Sequence, residues 1–430
     1  MRNILILGAG KSSIALIDYL VEHAAAEQFK ITVGDLSAEL ALQKTKGRDN
    51  TIPVGIDLKN DAQRKAMIED ADIVISMLPA ALHLTIAKDC LELGKDLVTP
   101  SYISEAMGKL DAAVKSKGLI FMNEMGLDPG IDHMSAMQIL DRLRNEGCTI
   151  TGFESHCGGL VAPDSDTNPW HYKFSWNPRN VILAGQGEGK IRYKKNGELV
   201  ELGYEELFTS TTEIEIEGYG NFESYPNRDS LKYMEAYGLE NVDTMYRGTL
   251  RIPPFCEGWS QLVQYGFTDD KEVLNDMDGY TYSDFFETKM GIDFKHLPTG
   301  LRSLFRNLVS DTGAIPLKQG TRAQILQALL EEKWKMQPDD TDMVVMVHVI
   351  SYLQNGEAKN LQSSLVQVGR DAEHTAMAIT VGLPVAVVTK MILNGRINQR
   401  GVLLPRYAEI YNPVLQELKE YGIGFEEREI

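Results

Sequence analysis

The stretch Met1–Ile17, MRNILILGAGKSSIALI, decides the fold. Four apolar residues, Ile4 to Leu7, stop at Gly8-Ala9-Gly10, and an apolar helical pattern starts near Ser12. That order predicts a strand, a tight glycine turn and a helix. Glycines let the backbone bend sharply and come close to a ligand. The helix start offers unpaired N–H groups and the positive end of a dipole to a phosphate. Gly8, Gly10, Lys11, Ser12 and Ser13 are therefore candidates for cradling the pyrophosphate of a dinucleotide. Ser13 stands where the G-x-G-x-x-G pattern has a third glycine or alanine, and is small enough to let helix pack on strand. Gly10-Lys11-Ser12 is not a triphosphate P-loop: that motif needs a glycine five residues before Gly10, where this chain has Leu5.

Downstream, KITVGDL predicts a second strand with Asp35 at its end. A carboxylate there accepts hydrogen bonds from both ribose hydroxyls of an adenosine and repels a 2′-phosphate. No Arg or Lys adjoins it, so NAD(H) is expected over NADP(H). TIPVGIDL adds a strand near Ile52 to Val54, then Asp57, expected at the adenine edge. ADIVISMLP gives a buried strand ending in the loop Met77-Leu78-Pro79. Ligands of open parallel sheets bind at such carboxyl ends. DLVTPSY ends in Ser101-Tyr102, and GLIFMNEMGLDPGID in Gly126-Leu127-Asp128-Pro129-Gly130. Strand and helix thus alternate through the first 130 residues, the pattern of a doubly wound parallel sheet.

After Gly130 the pattern changes. ITGFESHCGGL and TTEIEIEGYG alternate like antiparallel strands, as do DMVVMVHVISYL and NLQSSLVQVGR. Between them, VAPDSDTNPWHYKFSWNPRN is long, polar and aromatic, a composition expected of a functional or interface loop. Residues 271–340 read as helical and charged. AMAITVGLPVAVVTKMILNG is apolar, but charge and Pro384 interrupt it, so a buried helix is expected rather than a membrane span.

The 430 residues suit two or three domains, and 43% hydrophobic with 24% charged content is ordinary for a globular chain. A net charge of −18 speaks against general nucleic-acid binding and against docking on anionic membranes. The four cysteines, Cys90, Cys148, Cys157 and Cys256, form no CxxC pair, and the scattered histidines suggest no metal site. A reducing, cytoplasmic setting is expected.

Taken together and in order, SYIS, NEMGLDPGIDHM, SHCGGLVAP, NPWHYKFSW, YPNRDS, YRGTLR, AMAITVGLP and EIYNPVLQELKEYGI resemble the glutamate-forming saccharopine dehydrogenases, also called saccharopine reductases. The resemblance covers most of the chain and is weakest at 271–340. It implies a Rossmann domain at 1–130 completed by about 375–430. A mixed α+β domain at 131–374 would bind substrate and dimerise, with a small helical part at 271–340. The implied reaction interconverts saccharopine, NAD(P)+ and water with L-glutamate, 2-aminoadipate 6-semialdehyde and NAD(P)H, in a homodimer. In animals and plants the unit is fused to a lysine–oxoglutarate reductase half, for which this length leaves no room; a single activity is expected.

Saccharopine carries three carboxylates, which arginine forks suit. The resemblance favours Arg228 and Arg247 for that task, with Gly248 and Thr249 as further donors. Holding a loop by an internal ion pair is the other reading of each arginine. Ser101, Tyr102 and Asp128 lie at strand ends. Asp128 would pair with the substrate amine or take a proton, and Tyr102 would bind a carboxylate or relay a proton. A helix cap is the competing role for Asp128. Asp128 and Tyr102 are the candidate catalytic pair. Leu127, Asp128 and Pro129, with Met77 and Leu78, are placed beside the cofactor, and Phe174, Ser175 and Trp176 over the nicotinamide. His156 and Cys157 before Gly158-Gly159 suggest backbone close to a ligand, whereas His133 reads as a packed helix residue. The alternatives are a carboxynorspermidine- or homospermidine-type synthase, a lysine 6-dehydrogenase, or a non-catalytic NADH-binding regulatory protein.

Overall fold

Apolar strand residues and the glycine turns between them build a seven-stranded parallel sheet in the computed structural model. The structure describes residues 1–187, 190–277, 279–310 and 312–430. Six strands come from the first part of the chain: β1 (Arg2–Leu7), β2 (Phe29–Asp35), β3 (Thr51–Gly55), β4 (Ile73–Ser76), β5 (Asp96–Val98) and β6 (Ile120–Met122). The order is Gly401–Leu403, β6, β5, β4, β1, β2, β3. Strand order therefore reverses between β1 and β4, and ligands of such sheets bind at the carboxyl ends beside that reversal. Polar caps start the crossover helices: Ser37 accepts from the Leu40 N–H, and Asn60 from the Gln63 N–H.

The chain divides into two units, Met1–Cys148 with Glu373–Phe425 and Thr149–Ala372 with Glu426–Ile430. The first unit thus runs past residue 130. Helix Ile131–Asn145 belongs to it, with ten buried residues on its faces. At the other end, residues 426–430 leave the first unit, because strand Glu426–Glu429 pairs with Glu357–Val368.

Helix Ala376–Leu393 closes the first unit. Its mean hydropathy of 2.0 over 18 residues is long and apolar enough to cross a membrane, yet 78% of it is buried against the rest of the protein. It is the buried helix expected from the sequence, and Pro384 lies within it without ending it. Gly382 on this helix lies so close to helix Ile14–Glu27 that a Cβ would stand 2.8 Å from the Leu16 nitrogen. The start of helix Ile14–Glu27 is thus packed closely by a helix from the far end of the sequence.

The second unit is a nine-stranded mixed sheet. Strand Thr149–Val161 pairs antiparallel with Asp342–Gln354, as its alternation suggested, but parallel with Thr244–Arg251, which makes the sheet mixed. One face is apolar, with Leu160, Phe222, Leu250, Met343, Val345 and Val347. Period-two alternation puts Ser155, Cys157, Arg247, Thr249 and Arg251 on the other. The expected helical region holds helices Thr299–Val309 and Arg322–Lys333, which pack with Phe255–Gln264 around Trp170, Trp259 and Trp334. The polar, aromatic loop contributes Trp170, Tyr172 and Phe174 to this core. Large rings gain most from burial, which overrides the loop's polar composition.

Candidate active site

Candidate residues fall in both units. In the first, Gly8 has a φ of +104°, and a Cβ on it would stand 2.7 Å from the Met77 carbonyl oxygen. Only glycine lets β1 turn this close to β4. Gly10 has an ordinary φ of −68° and nothing within 4 Å of where its Cβ would be. The turn therefore leaves open space over Gly10, as a pyrophosphate requires. Ser13 is fully buried and donates to the Gly10 carbonyl at 2.8 Å, so its side chain shapes the turn instead of facing a ligand. Lys11 is exposed and Ser12 half-buried at the helix start.

Asp35 ends β2 as expected. Its Oδ2 accepts the Ala9 N–H at 2.8 Å and its Oδ1 the Ser37 N–H at 3.0 Å. The carboxylate thus ties the glycine turn to β2, and each oxygen keeps a lone pair for a ribose hydroxyl. Asp57 is exposed and accepts the Lys59 N–H at 2.9 Å. Met77 and Leu78 are half-buried beyond β4, the Met77 N–H donating to Leu7 at 2.8 Å. These residues fit a nicotinamide dinucleotide.

Beyond β6 the chain folds into a tight loop. A Cβ on Gly130 would fall 2.1 Å from the Gly126 carbonyl oxygen, at a φ of +148°. Leu127 and Pro129 are buried, and their carbonyls accept the Asp132 and Gly126 N–H groups at 3.0 and 2.9 Å. Gly130, not Asp128, is the cap residue of helix Ile131–Asn145, which overturns the capping role for Asp128. Asp128 instead accepts the Tyr102 hydroxyl at 2.9 Å, so the candidate catalytic pair is joined. Beneath the loop, buried Glu124 accepts the Ile103 N–H at 2.8 Å and lies 2.8 Å from His133 Nε2. His133 is thus part of the loop's support, which its helical position alone did not reveal.

Ser101 is bonded to a residue that the sequence did not single out. His83 Nε2 lies 2.7 Å from the Ser101 hydroxyl, and His83 Nδ1 lies 2.8 Å from that of Ser76. Burial pushes the His83 pKa down to about 4, so its imidazole is neutral at neutral pH.

In the second unit, YPNRDS wraps around the backbone of Arg247. The Asn227 N–H donates to the Arg247 carbonyl at 2.8 Å, and the Arg247 N–H to the Ser230 hydroxyl at 2.9 Å. The two candidate arginines are neighbours for this reason. Arg247 is buried with its guanidinium 4.6 Å from the Tyr233 ring centre, whereas Arg228 is exposed at a φ of +55°. Asp229, between Arg228 and Ser230, pairs with Arg192 and fixes the turn. Thr249 follows on the same strand face as Arg247, half-buried. Gly248 points the other way: a Cβ there would lie 2.1 Å from the Ser224 hydroxyl, which reaches His156 Nδ1 at 2.8 Å.

Three expectations change here. Gly158 approaches the neighbouring strand, its Cβ position lying 2.6 Å from the Leu250 carbonyl oxygen, and that strand contact accounts for the glycine without a ligand. His156 is wholly buried and neutral, burial pushing its pKa down to about 3. Phe174 is core, Ser175 is buried beside it, and Trp176 is half-buried with its indole N–H 3.3 Å from the Tyr172 hydroxyl. Arg251, four residues after Arg247, was not singled out from the sequence. It is buried among Tyr172, Tyr225 and Phe255, 5.0 to 5.6 Å from their ring centres, and donates to the Leu250 carbonyl at 2.7 Å.

Residues 4–122 match the family model "Saccharopine dehydrogenase NADP binding domain", and 126–423 match "Saccharopine dehydrogenase C-terminal domain". The chain is 33% identical over 454 residues to the saccharopine dehydrogenase [NADP(+), L-glutamate-forming] of Pyricularia oryzae, covering 99% of each. It is 33% identical to the mitochondrial alpha-aminoadipic semialdehyde synthase of Rattus norvegicus, 99% of the chain spanning only 47% of that longer protein. An apo saccharopine dehydrogenase (L-Glu forming) from Saccharomyces cerevisiae superposes with a TM-score of 0.90 at 32% identity, covering 100% of both chains. A homospermidine synthase from Legionella pneumophila shares the fold, with a TM-score of 0.60 at 10% identity over 99% of this chain and 91% of its own. The chain belongs to the saccharopine dehydrogenase family.

Proposed function

We propose that the chain is an oxidoreductase of lysine metabolism that interconverts saccharopine, NAD(P)+ and water with L-glutamate, 2-aminoadipate 6-semialdehyde and NAD(P)H. The observation that carries it is identity of about one third along the whole chain with a glutamate-forming saccharopine dehydrogenase, 33% over 454 residues. The polyamine-type reading rests on fold alone, at 10% identity.

In this reading Arg228 and Arg247 hold substrate carboxylates through paired N–H bonds, with Thr249 as a further donor. A dinucleotide held at Gly10 and Asp35 would supply the acceptor for the hydride lost from the carbon that was the lysine ε-carbon. Asp128, hydrogen-bonded to Tyr102, accepts the proton lost by the amine or the attacking water, and Tyr102 completes the relay. Ser101 donates a hydrogen bond to the substrate.

We read the preferred cofactor as NAD(H), although the relative from Pyricularia oryzae is named for NADP(+) and the matched domain is described as NADP binding. Asp35 supports this. It presents negative charge where a 2′-phosphate would sit. The basic residues that follow are engaged elsewhere: Lys44 and Lys46 with Glu373, and Arg48 with Asp18.

The test is reduced-cofactor formation by purified protein with saccharopine and either NAD+ or NADP+. Turnover with NAD+ dominant is expected, and Asp35→Ala should then lower the NAD+/NADP+ ratio of kcat/KM. Dominant turnover with NADP+ would overturn the cofactor reading alone. Absence of turnover with both, in protein that binds NADH, would overturn the reaction.

A further inference from the structure

We propose that His83 is a positioning residue that fixes Ser101 as a hydrogen-bond donor, aiming its hydroxyl proton at an acceptor on the substrate such as a carboxylate oxygen. This rests on the reading of Ser101 as a substrate contact. His83 begins near the start of helix Ala80–Leu93, just past the loop after β4, and is only 5% exposed. Its ring bridges the carboxyl ends of two neighbouring strands. Ser76 is the last residue of β4, and Thr99 and Ser101 follow β5.

The direction of the chain follows from counting donors and acceptors. Two buried hydroxyls face Nδ1: Ser76 at 2.8 Å and Thr99 at 3.4 Å, both 1% exposed or less. Each has one proton that needs an acceptor. Among the described residues, neither hydroxyl has any other acceptor, and the Thr99 oxygen already receives the Ser101 N–H at 3.3 Å. A buried hydroxyl whose proton is left unpaired costs about 1–3 kcal/mol. Nδ1 has one lone pair, which the closer Ser76 hydroxyl takes; a proton on Nδ1 would instead leave both hydroxyl protons unpaired, so Nδ1 is the acceptor and carries no proton. Burial keeps the ring neutral, so the single imidazole proton sits on Nε2. Nε2–H then donates to the Ser101 oxygen at 2.7 Å. With that lone pair engaged by His83, the Ser101 proton has to point away from the ring. Half-buried at the sheet's carboxyl edge, Ser101 presents its hydroxyl proton outward, with one lone pair of the oxygen taken by His83. The arrangement suits an anionic oxygen, which accepts a hydrogen bond from the outward-pointing proton.

The test is a double-mutant cycle in the full-length enzyme, with saccharopine kcat/KM and dinucleotide Kd as readouts. Ser101→Ala and His83→Ala should each lower kcat/KM for saccharopine about tenfold, mainly through KM, with dinucleotide Kd unchanged. The double variant should be no worse than Ser101→Ala alone. His83→Gln, whose amide N–H can stand in for Nε2–H, should restore most of the loss, whereas His83→Asn should not. Additive losses in the double variant, or a His83→Gln no better than His83→Ala, would mean that His83 merely supports the fold, and would overturn the inference. If Ser101→Ala leaves saccharopine kinetics unchanged, it is the reading of Ser101 that fails, and the inference falls with it.

Discussion

A serine and an asparagine hold the segments of Arg228 and Arg247 together, yet the surroundings of the two arginines differ. Arg228 is exposed, so Arg228→Met should alter stability by no more than about 0.5 kcal/mol. If it binds a carboxylate, kcat/KM for saccharopine should nevertheless fall about 10- to 100-fold, the worth of a charged hydrogen bond, while NADH affinity stays near that of the parent. Arg247→Met should lose as much activity and some stability too, because its buried guanidinium also lies over the Tyr233 ring. Steady-state kinetics with a thermal melt separates these outcomes, and unchanged kinetics in Arg228→Met would remove it from the substrate site. The arginines were legible in the sequence because each sits in a distinctive string. Arg251 lies in the same string as Arg247, and only the ring cage around it distinguishes its role. His83 gave no signal either, because its partners lie seven and eighteen residues away in opposite directions and meet it only across two strand ends.

At the level of elements, the turn after β1 was the most legible feature, since glycine spacing encodes it locally. The structure separates its two glycines by cause. Gly8 is required by the protein itself, through the Met77 carbonyl. Gly10 is not, because its backbone is ordinary and the space around it is open. Gly10→Ala should therefore fold with an unfolding midpoint close to the parent's and yet bind dinucleotide at least about tenfold more weakly, its methyl taking the place of the pyrophosphate. Fluorescence titration with NADH measures this. Unaltered affinity would show that the cofactor does not lie over Gly10. The second unit was less legible at this scale. Alternation identified Thr149–Val161 as a strand, but the period of two is the same whether a neighbour runs parallel or antiparallel. Its parallel pairing with Thr244–Arg251 depends on contacts far apart in sequence. The loop bearing Trp170, Tyr172 and Phe174 was misleading for a related reason: its polar residues are local, and the helices that bury its rings come later in the chain.

For the molecule as a whole, the alternating first 130 residues revealed the sheet but not where the unit ends, nor that it needs residues from after the second unit. That part was legible only through the family resemblance, because nothing in the local pattern of GVLLPR says which sheet it joins. The structure makes the dependence physical. Strand Gly401–Leu403 pairs with β6, and Arg2 at the start of β1 donates to the Leu393 carbonyl at 2.9 Å. Helix Ala376–Leu393 buries Ile379, Leu383, Val385, Val387 and Val388, among others. Each such side chain contributes about 1.5–3 kcal/mol on burial, so the joint loss of these five is as large as the 5–15 kcal/mol by which a typical domain is stable. A chain ending at Ala372 should therefore fail to bind NADH even though it keeps Gly8, Gly10 and Asp35. A chain ending at Phe425 removes only the strand that pairs in the second unit, and should bind NADH as the full chain does. Fluorescence titration and circular dichroism on the two truncations decide between a self-sufficient first segment and a unit closed by its distant return. Parent-like NADH affinity in the shorter chain would refute the closure argument, since β1 to β6 would then suffice without the helix that covers them.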